Sequence, residues 1–564
     1  MCFFNHKEAK QFWAAGFVFA VIVCFVFLLP LAVEAAPIGN KKEQNGQAGS
    51  RNAPVYGDSM LMGMVGEASN LIPYLASDTA SSSITGHLYV APLKFDKSIQ
   101  PVTWAAERFE LLDDGLLLRF TLKKGIYWED GIELTADDAE FTYQMMTDPE
   151  TPTVYAGDFK AIKEFRKIDR YTFEVTYEKP FPRSLSTWMG ALLPKHKLQG
   201  LGGEGLRGTP LARNPVSCGP YLLRDWVAGS QLTLTANPAY FEGRPFIDRL
   251  LYRIIPDTTT MFLELKAGKL DIMEALTALQ YTYQAQKPPF SDEYATYRSL
   301  ASTYTYLGYN LKSPLFSDVR VRRAFAHAVN KQDIIKGALL GQGEPTIGPY
   351  KPDSWIYNQS IQDYPYDPDK ALALLAEAGW VRGKSGLLEK NGMPFSFTIL
   401  TNQGNEQRVK TAIIIQSQLQ KIGVEAKIRT VEWAAFLKQF VLPGFFDAVV
   451  LAWTIPHDPD GFDVWHSSRA GGGLNFIGYG DKEADACLEE GRSTFDQSVR
   501  KKAYDKFQEI LHQDQPYCFL YVPYQLSAVQ KRFKGIEPAP IGIFYNSDRW
   551  WVPLDDQRYR IEAR

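Results

Sequence analysis

The run Trp453-Thr454-Ile455-Pro456-His457-Asp458-Pro459-Asp460 gathers side chains that invite chemistry. Two carboxylates beside a tryptophan are the parts of a sugar cleft, in which one acid protonates a glycosidic oxygen and the other works from the opposite face. That reading makes the chain a glycoside hydrolase. The Asp-Pro-Asp spacing opposes it, because such pairs flank the scissile bond from opposite sides. The same carboxylates suit Asx-turns around Pro459, capping an element that begins at Phe462. His457 and His466 lack a third ligand at useful spacing, so neutral packed or solvated rings are expected and no metal.

Other catalytic motifs fail on context. Gly200-Leu201-Gly202-Gly203-Glu204-Gly205 matches the dinucleotide pattern by letters. It comes after His196-Lys197-Leu198-Gln199 rather than a strand, and Thr209-Pro210 breaks any helix beyond it, so a loop is expected. Gly379-Trp380-Val381-Arg382-Gly383-Lys384-Ser385 resembles a phosphate loop but has one residue too few between its glycines. Neither a G-x-S-x-G elbow nor an H-E-x-x-H zinc motif occurs. Trp128, Tyr221, Trp433, Trp453 and Trp465 could stack on a ligand, although large aromatics more often belong to a core. Trp453 is the strongest of them. The residues point to binding, with no catalytic residue and no cofactor.

Elements that position such residues are legible from periodicity. Leu116, Leu118, Phe120 and Leu122 alternate with Leu117, Arg119, Thr121 and Lys123, which predicts a strand with one buried face. Asp113-Asp114-Gly115 precedes it as a hairpin turn. Thr135 with Asp138 resembles a capping box that opens a helix through Met146. Asp318 caps a helix with Val321, Ala324, Phe325, Ala328 and Val329 on one face. Asp367-Pro368 starts another that stops at Gly379, and Asn405 opens a longer one ending near Gly423. A further helix spans roughly Gln497 to Gln513. The apolar runs at 446–453 and 518–522 fit strands covered on both sides. The fold class is α/β, with several lobes.

At 564 residues, 45% apolar and 13% aromatic, the chain is too long for one core and too apolar for disorder. A net charge of −3 gives nucleic acid or an anionic membrane no electrostatic hold. Lys7 and Lys10 precede an apolar stretch, and Val33-Glu34-Ala35 offers a cleavage site after Ala35, so residues 1–35 are expected to be a signal peptide. An uncleaved anchor is the alternative, since about 20 apolar residues can span a bilayer. No cysteine follows that stretch at a lipoprotein site, which favours a periplasmic location. Residues 36–54 are polar and are expected to be a flexible tether. Cys218, Cys487 and Cys518 remain after the leader, an odd number, with Cys487–Cys518 one conceivable disulfide.

A set of segments together resembles family 5 of the extracellular solute-binding proteins of ABC importers, the peptide- and nickel-type family. They are Trp104-Ala105-Ala106-Glu107 through Asp113-Asp114-Gly115, Phe120 to Gly125, Trp128, Asp130-Gly131 and Leu134 to Asp138; Asn214 to Tyr221 with Asn237-Pro238-Ala239-Tyr240-Phe241; Asn310-Leu311, Asp318 to Phe325, Ala328 to Lys331 and Gly341; and Tyr366 to Ala371 with Ala378-Gly379-Trp380. They run in family order over nearly the whole mature chain.

The resemblance implies a periplasmic-binding-protein-like two-lobe clamshell with an additional inserted domain and a two-strand hinge. Lobe I would comprise 55–93, 215–300 and 525–564, the inserted domain 94–214, and lobe II 301–524. It implies a ligand held extended between Met64–Asn70 and Ala452–Thr454, paired through backbone hydrogen bonds that ignore side chains. The expected ligand-binding residues are Glu67, Ser69, Asn70, Trp453, Thr454, His457 and Asp458. In peptide receptors of the family a carboxylate just after the tryptophan takes the peptide's amino terminus. Ile455 and Pro456 stand there in this sequence. Either Asp458 reaches the amine from a shifted loop, or a free amino terminus is not bound in that way. The expected ligand is a short peptide, with an oligosaccharide or a metal chelate as alternatives. The expected partner is an inner-membrane ABC permease, with the receptor itself monomeric.

Overall fold

The computed structural model describes residues 53–206, 208–471 and 473–559. The expected leader, its cleavage site and nearly all of the tether lie outside them. Strands pair in a 12-stranded sheet that runs through both lobes. Its lobe II part orders Glu425–Val431, Ser396–Asn402, Ala448–Thr454 and Thr303–Tyr309. The long strand Tyr517–Gln530 comes next, followed in lobe I by Ile272–Met273, Ser59–Met64, Arg249–Ile254, Gln231–Ala236 and Tyr221–Val227.

Tyr517–Gln530 belongs to both lobes. Its first half pairs antiparallel with Thr305–Gly308 and its second half with Tyr294–Leu300. The chain therefore crosses between lobes at Ala301-Ser302 and again at Val522 to Tyr524. The two crossings are pinned together by the Ala301 amide, which donates to the Pro523 carbonyl at 2.9 Å. Two adjacent strands bend more readily than a packed interface slides, which is the build of a hinge.

Lobe II shows why its strands read as continuous apolar runs. Ala448, Val450, Cys518 and Leu520 enter one core, while Val449, Leu451, Tyr517 and Phe519 enter another. Successive side chains point to opposite faces, so with both faces covered apolar residues follow one another along the strand. Helices Val319–Ala328, Lys331–Leu339 and Glu406–Lys421 cover one face, capped by Asp318, Asn330 and Asn405. Helix Pro368–Glu377 begins at the Asp367 cap, and the chain turns at Gly379 with φ +89°.

Residues 106–177 build a separate 4-stranded antiparallel sheet. Leu118, Phe120 and Leu122 point inward from Leu117–Leu122, while Leu117, Arg119 and Thr121 are half-exposed. The preceding turn puts Asp113, Asp114 and Gly115 at positive φ (51°, 53° and 87°), which short polar residues and glycine tolerate best. Helix Ala136–Thr147 carries the expected Thr135/Asp138 capping box. The core of this sheet is continuous with that of lobe I, joining Met60 and Leu250 to Phe120 and Trp188.

Strand Ser59–Met64 is anchored by a buried charge cluster. Arg532 pairs with Asp58 and, at 2.9 Å, with Asp271, all nearly inaccessible to solvent. Asp58 also accepts the Tyr559 amide at 2.9 Å, which ties the last described residues to the first strand.

Candidate functional site

Ligand crevices of parallel sheets form where loops leave the carboxyl ends of the strands. In lobe I, Ser59–Met64 runs parallel to Arg249–Ile254 and delivers Val65 to Asn70 at that end. In lobe II, Ser396–Asn402 runs parallel to Glu425–Val431 and to Ala448–Thr454. Their carboxyl ends deliver Asn402, Val431 and Thr454, followed by Gln403, Glu432-Trp433 and Ile455.

Within the lobe I edge, Val65 and Gly66 are exposed, and a Cβ built on Gly66 would meet nothing within 4 Å. A second backbone can approach there without a clash. Glu67 is a brace: its carboxylate accepts from Trp226 Nε1 at 2.7 Å and from the Gly229 amide at 3.1 Å. Ser69 donates its hydroxyl to Asp78 at 2.6 Å and its amide to Ser81 at 2.9 Å. Asn70 turns its side-chain oxygen back on the Ile72 amide at 2.8 Å, a local Asx-turn, and lines a cavity of about 380 Å³ with Tyr74 and Trp104.

The lobe II edge is aromatic. Trp453 is half-buried, stacked on Phe476 at 5.7 Å, and donates its indole N–H to the Tyr517 hydroxyl at 3.2 Å. Thr454 is exposed beside it. Trp433, 45% exposed, stands after the neighbouring strand with Arg408 5.9 Å from its ring centre. By contrast, Trp128, Tyr221 and Trp465 are at most 2% exposed and belong to cores.

Asp458 has a partner that the sequence did not announce. Arg500, from helix Gln497–Asp514, holds both its oxygens at 2.8 and 2.9 Å. Asp458 also accepts the Asp460 amide at 3.0 Å, and Asp460 accepts the Phe462 amide at 3.1 Å, so Asx-turns bracket Pro459. Asp460 pairs with Arg492 at 3.0 Å, and burial pushes its carboxyl above the usual range. Both carboxylates are engaged in holding the loop.

His457 meets Phe95 edge-on at 4.8 Å. Partial desolvation, assisted by Lys351, lowers its pKa and favours the neutral ring. This is one of several places where lobe II touches the inserted sheet and its flanks. Arg183 lies 3.7 Å from Asp463, and Phe495 fills the space over Gly115. Phe95, Trp355, His457, Asp458 and Arg500 line a cavity of about 210 Å³ at this contact. A larger cleft of about 1490 Å³ opens beyond it, between Tyr155, Phe159 and Phe181 on one side and Phe462, Arg469 and Arg492 on the other.

The remaining sequence motifs resolve structurally. Gly202–Gly205 is a short helical turn, and Gly203 sits where a Cβ would lie 2.3 Å from the Thr151 amide nitrogen. Its glycine serves close packing, not a phosphate. Cys487 and Cys518 are separate buried thiols, as is Cys218. No group of three or more potential metal ligands occurs among the described residues. Arg408 and Arg500 are functional candidates that spacing alone missed. Arg408 had a signal: a cation in the first turn of Glu406–Lys421 opposes the positive end of the helix dipole.

Comparison with known proteins agrees with this build. The family described as bacterial extracellular solute-binding proteins, family 5 Middle, matches residues 100–474. The chain is 34% identical over 533 residues, 93% of its length and 97% of the relative's, to the oligopeptide-binding protein AppA of Bacillus subtilis. The structure of that protein in complex with a nonapeptide matches with a TM-score of 0.73 at 33% identity, covering 89% of this chain and 100% of that one. NikZ from Campylobacter jejuni, in complex with Ni(L-His), matches with a TM-score of 0.74 at 27% identity, covering 88% and 100%. Two lobes on a two-strand hinge and a match over most of the chain make this protein a member of family 5 of the bacterial extracellular solute-binding proteins.

Proposed function

We propose that this protein is the periplasmic receptor of an ABC importer, exported by a cleaved leader, that captures short peptides between its lobes and delivers them to an inner-membrane permease. The observation that carries the reading is the pair of strand ends, Val65-Gly66 with open space in lobe I and Trp453-Thr454 in lobe II, on lobes connected by the two-strand hinge. An extended ligand that pairs with both edges makes all its contacts only when the lobes close, so binding selects the closed form. The likeness to a receptor seen with a nonapeptide supports a peptide over other cargo.

Within the site, Ser69, Asn70, Trp453 and Thr454 are the proposed direct contacts. Glu67, His457 and Asp458 are proposed to shape the cleft, Glu67 bracing Trp226, His457 packing on Phe95 and Asp458 holding Arg500. A peptide amine that displaced Arg500 from Asp458 would leave a guanidinium buried without its counter-ion, which is strongly unfavourable. The amino terminus is therefore not held by Asp458.

Native mass spectrometry of freshly purified protein, followed by denaturation and sequencing of what is released, tests the reading. A family of short peptides supports it. One defined oligosaccharide or metal chelate overturns the peptide assignment and leaves the receptor role.

A further inference from the structure

We infer that the inserted domain is a clasp, whose Gly115 turn seats Phe495 of lobe II and so populates the closed form before any cargo arrives; the inference rests on the closing receptor proposed above. The inserted sheet shares its core with lobe I, where Phe120 and Trp188 belong to one cluster with Met60 and Leu250. It therefore moves with lobe I, because close-packed interiors transmit displacement. Lobe II is tied to that body at the two hinge crossings. Contacts between the inserted domain and lobe II must then part when the hinge opens.

The contact is built from both sides. Phe495 lies in the connection between helices Lys482–Arg492 and Gln497–Asp514, and its ring edge stands 2.7 Å from where a Cβ on Gly115 would be. Pro180 completes the seat, 3.5 Å from the same point. Gly115 is thus required twice, for its φ of +87° and for the room it leaves the ring. Around the seat, Phe95 meets His457, and Arg183, held by Asp158 of its own domain at 3.0 Å, reaches to 3.7 Å from Asp463. Arg492 pairs with Asp460 at 3.0 Å, lies 4.0 Å from the ring centre of Phe462 and comes within 5.9 Å of that of Phe181 across the contact. An aromatic plug with charged groups at its rim has the build of an interface core. Neither Gly115 nor Phe495 is a proposed cargo contact. The clasp acts on closure, and the apparent affinity for any cargo scales with the closed fraction it maintains.

The test reads that fraction. Spin labels on Lys266→Cys in lobe I and Lys410→Cys in lobe II, both exposed, report the interlobe distance by pulsed electron resonance, and the native thiols are buried. The probe is a pool of random heptapeptides. The cargo-free parent is expected to show a short and a long distance, and the pool to leave the short one. Phe495→Ala should lower the closed-to-open ratio without cargo by about tenfold, as for an aromatic anchor, and weaken capture of the pool. Gly115→Asn, whose side chain tolerates positive φ but fills the seat, should do the same. The double variant should lose no more than one of them, since both break one contact. A cargo-free parent that is open throughout yet closes with peptide overturns the clasp and leaves the receptor standing. An unchanged ratio in Phe495→Ala, or losses that add in the double variant, also overturns it. One fixed distance in every state overturns the closing receptor and the clasp together. If the pool is not captured, the peptide assignment falls and the cargo-free ratios still decide the clasp. Should Gly115→Asn not fold, the parent and Phe495→Ala decide.

Discussion

Replacing Asp458 with asparagine separates the two roles open to that residue. The side chains of Asp458 and Arg500 are 11% and 10% exposed, so solvent screens their attraction little. Removal of the negative charge leaves Arg500 with the Gly491 carbonyl at 2.9 Å and a neutral amide oxygen where it had two ionic bonds. Breaking a buried ion pair from one side costs about 3–5 kcal/mol. The substituted amide can still accept the Asp460 backbone N–H, and the repulsion between Asp458 and Asp460 disappears. The net loss should fall near the lower end, about 3 kcal/mol. Urea unfolding at neutral pH, followed by circular dichroism, should show an earlier midpoint for Asp458→Asn. A double-mutant cycle with Arg500→Met should return a coupling of about 2 kcal/mol or more. Peptide affinity of the folded Asp458→Asn protein should stay close to that of the parent. An unchanged unfolding midpoint together with a steep loss of affinity would refute the reasoning, because Asp458 would then serve the ligand and not Arg500.

Other contacts give further expectations. Trp453→Ala removes the ring stacked on Phe476 at the lobe II edge and should weaken peptide binding by about 2 kcal/mol while the protein stays folded, measured by calorimetry and circular dichroism. Arg532→Met leaves Asp58 and Asp271 buried without their cation and should destabilise lobe I by about 3–5 kcal/mol, read from urea unfolding. Glu174 is held below its ordinary pKa of 4.5 by Arg166 and then by Arg119, which lies 2.7 Å away. Its contribution is therefore present above pH 4.5 and lost as pH falls through the lowered value. Thermal melts of the parent should drop over that acid window, and Glu174→Gln should start lower at neutral pH and drop less.

Local grammar carried much of the fold into the sequence. The Thr135/Asp138 box, the caps at Asp318, Asp367 and Asn405, and the alternation of Leu118, Phe120 and Leu122 each depend on neighbours a few positions away. Sequence spacing reports such contacts directly. The apolar runs at 446–453 and 518–522 told of burial on both faces, and the structure places alternate residues in separate cores. The Asx-turns around Pro459 were legible for the same reason. Partners that meet only through the fold were not. Arg500 lies 42 positions beyond Asp458, and Trp226 lies 159 beyond Glu67. The expected ligand carboxylates thus turned out to be engaged by groups that no local pattern names. Gly200 to Gly205 misled in the other direction, since a letter match carries no information about whether a strand precedes it. Arg408 was visible as an arginine in a helix's first turn, but its neighbours Asn402 and Trp433 appear only in the fold.

Closure about Ala301-Ser302 and Val522 to Tyr524 is the claim on which the receptor reading stands. Small-angle X-ray scattering of the purified protein, first stripped of cargo and then saturated with a pool of random heptapeptides, measures it directly. The radius of gyration should fall on saturation and return after the cargo is removed. An identical scattering curve in both states, with peptide uptake verified in the same sample, contradicts a hinge that closes around what it carries.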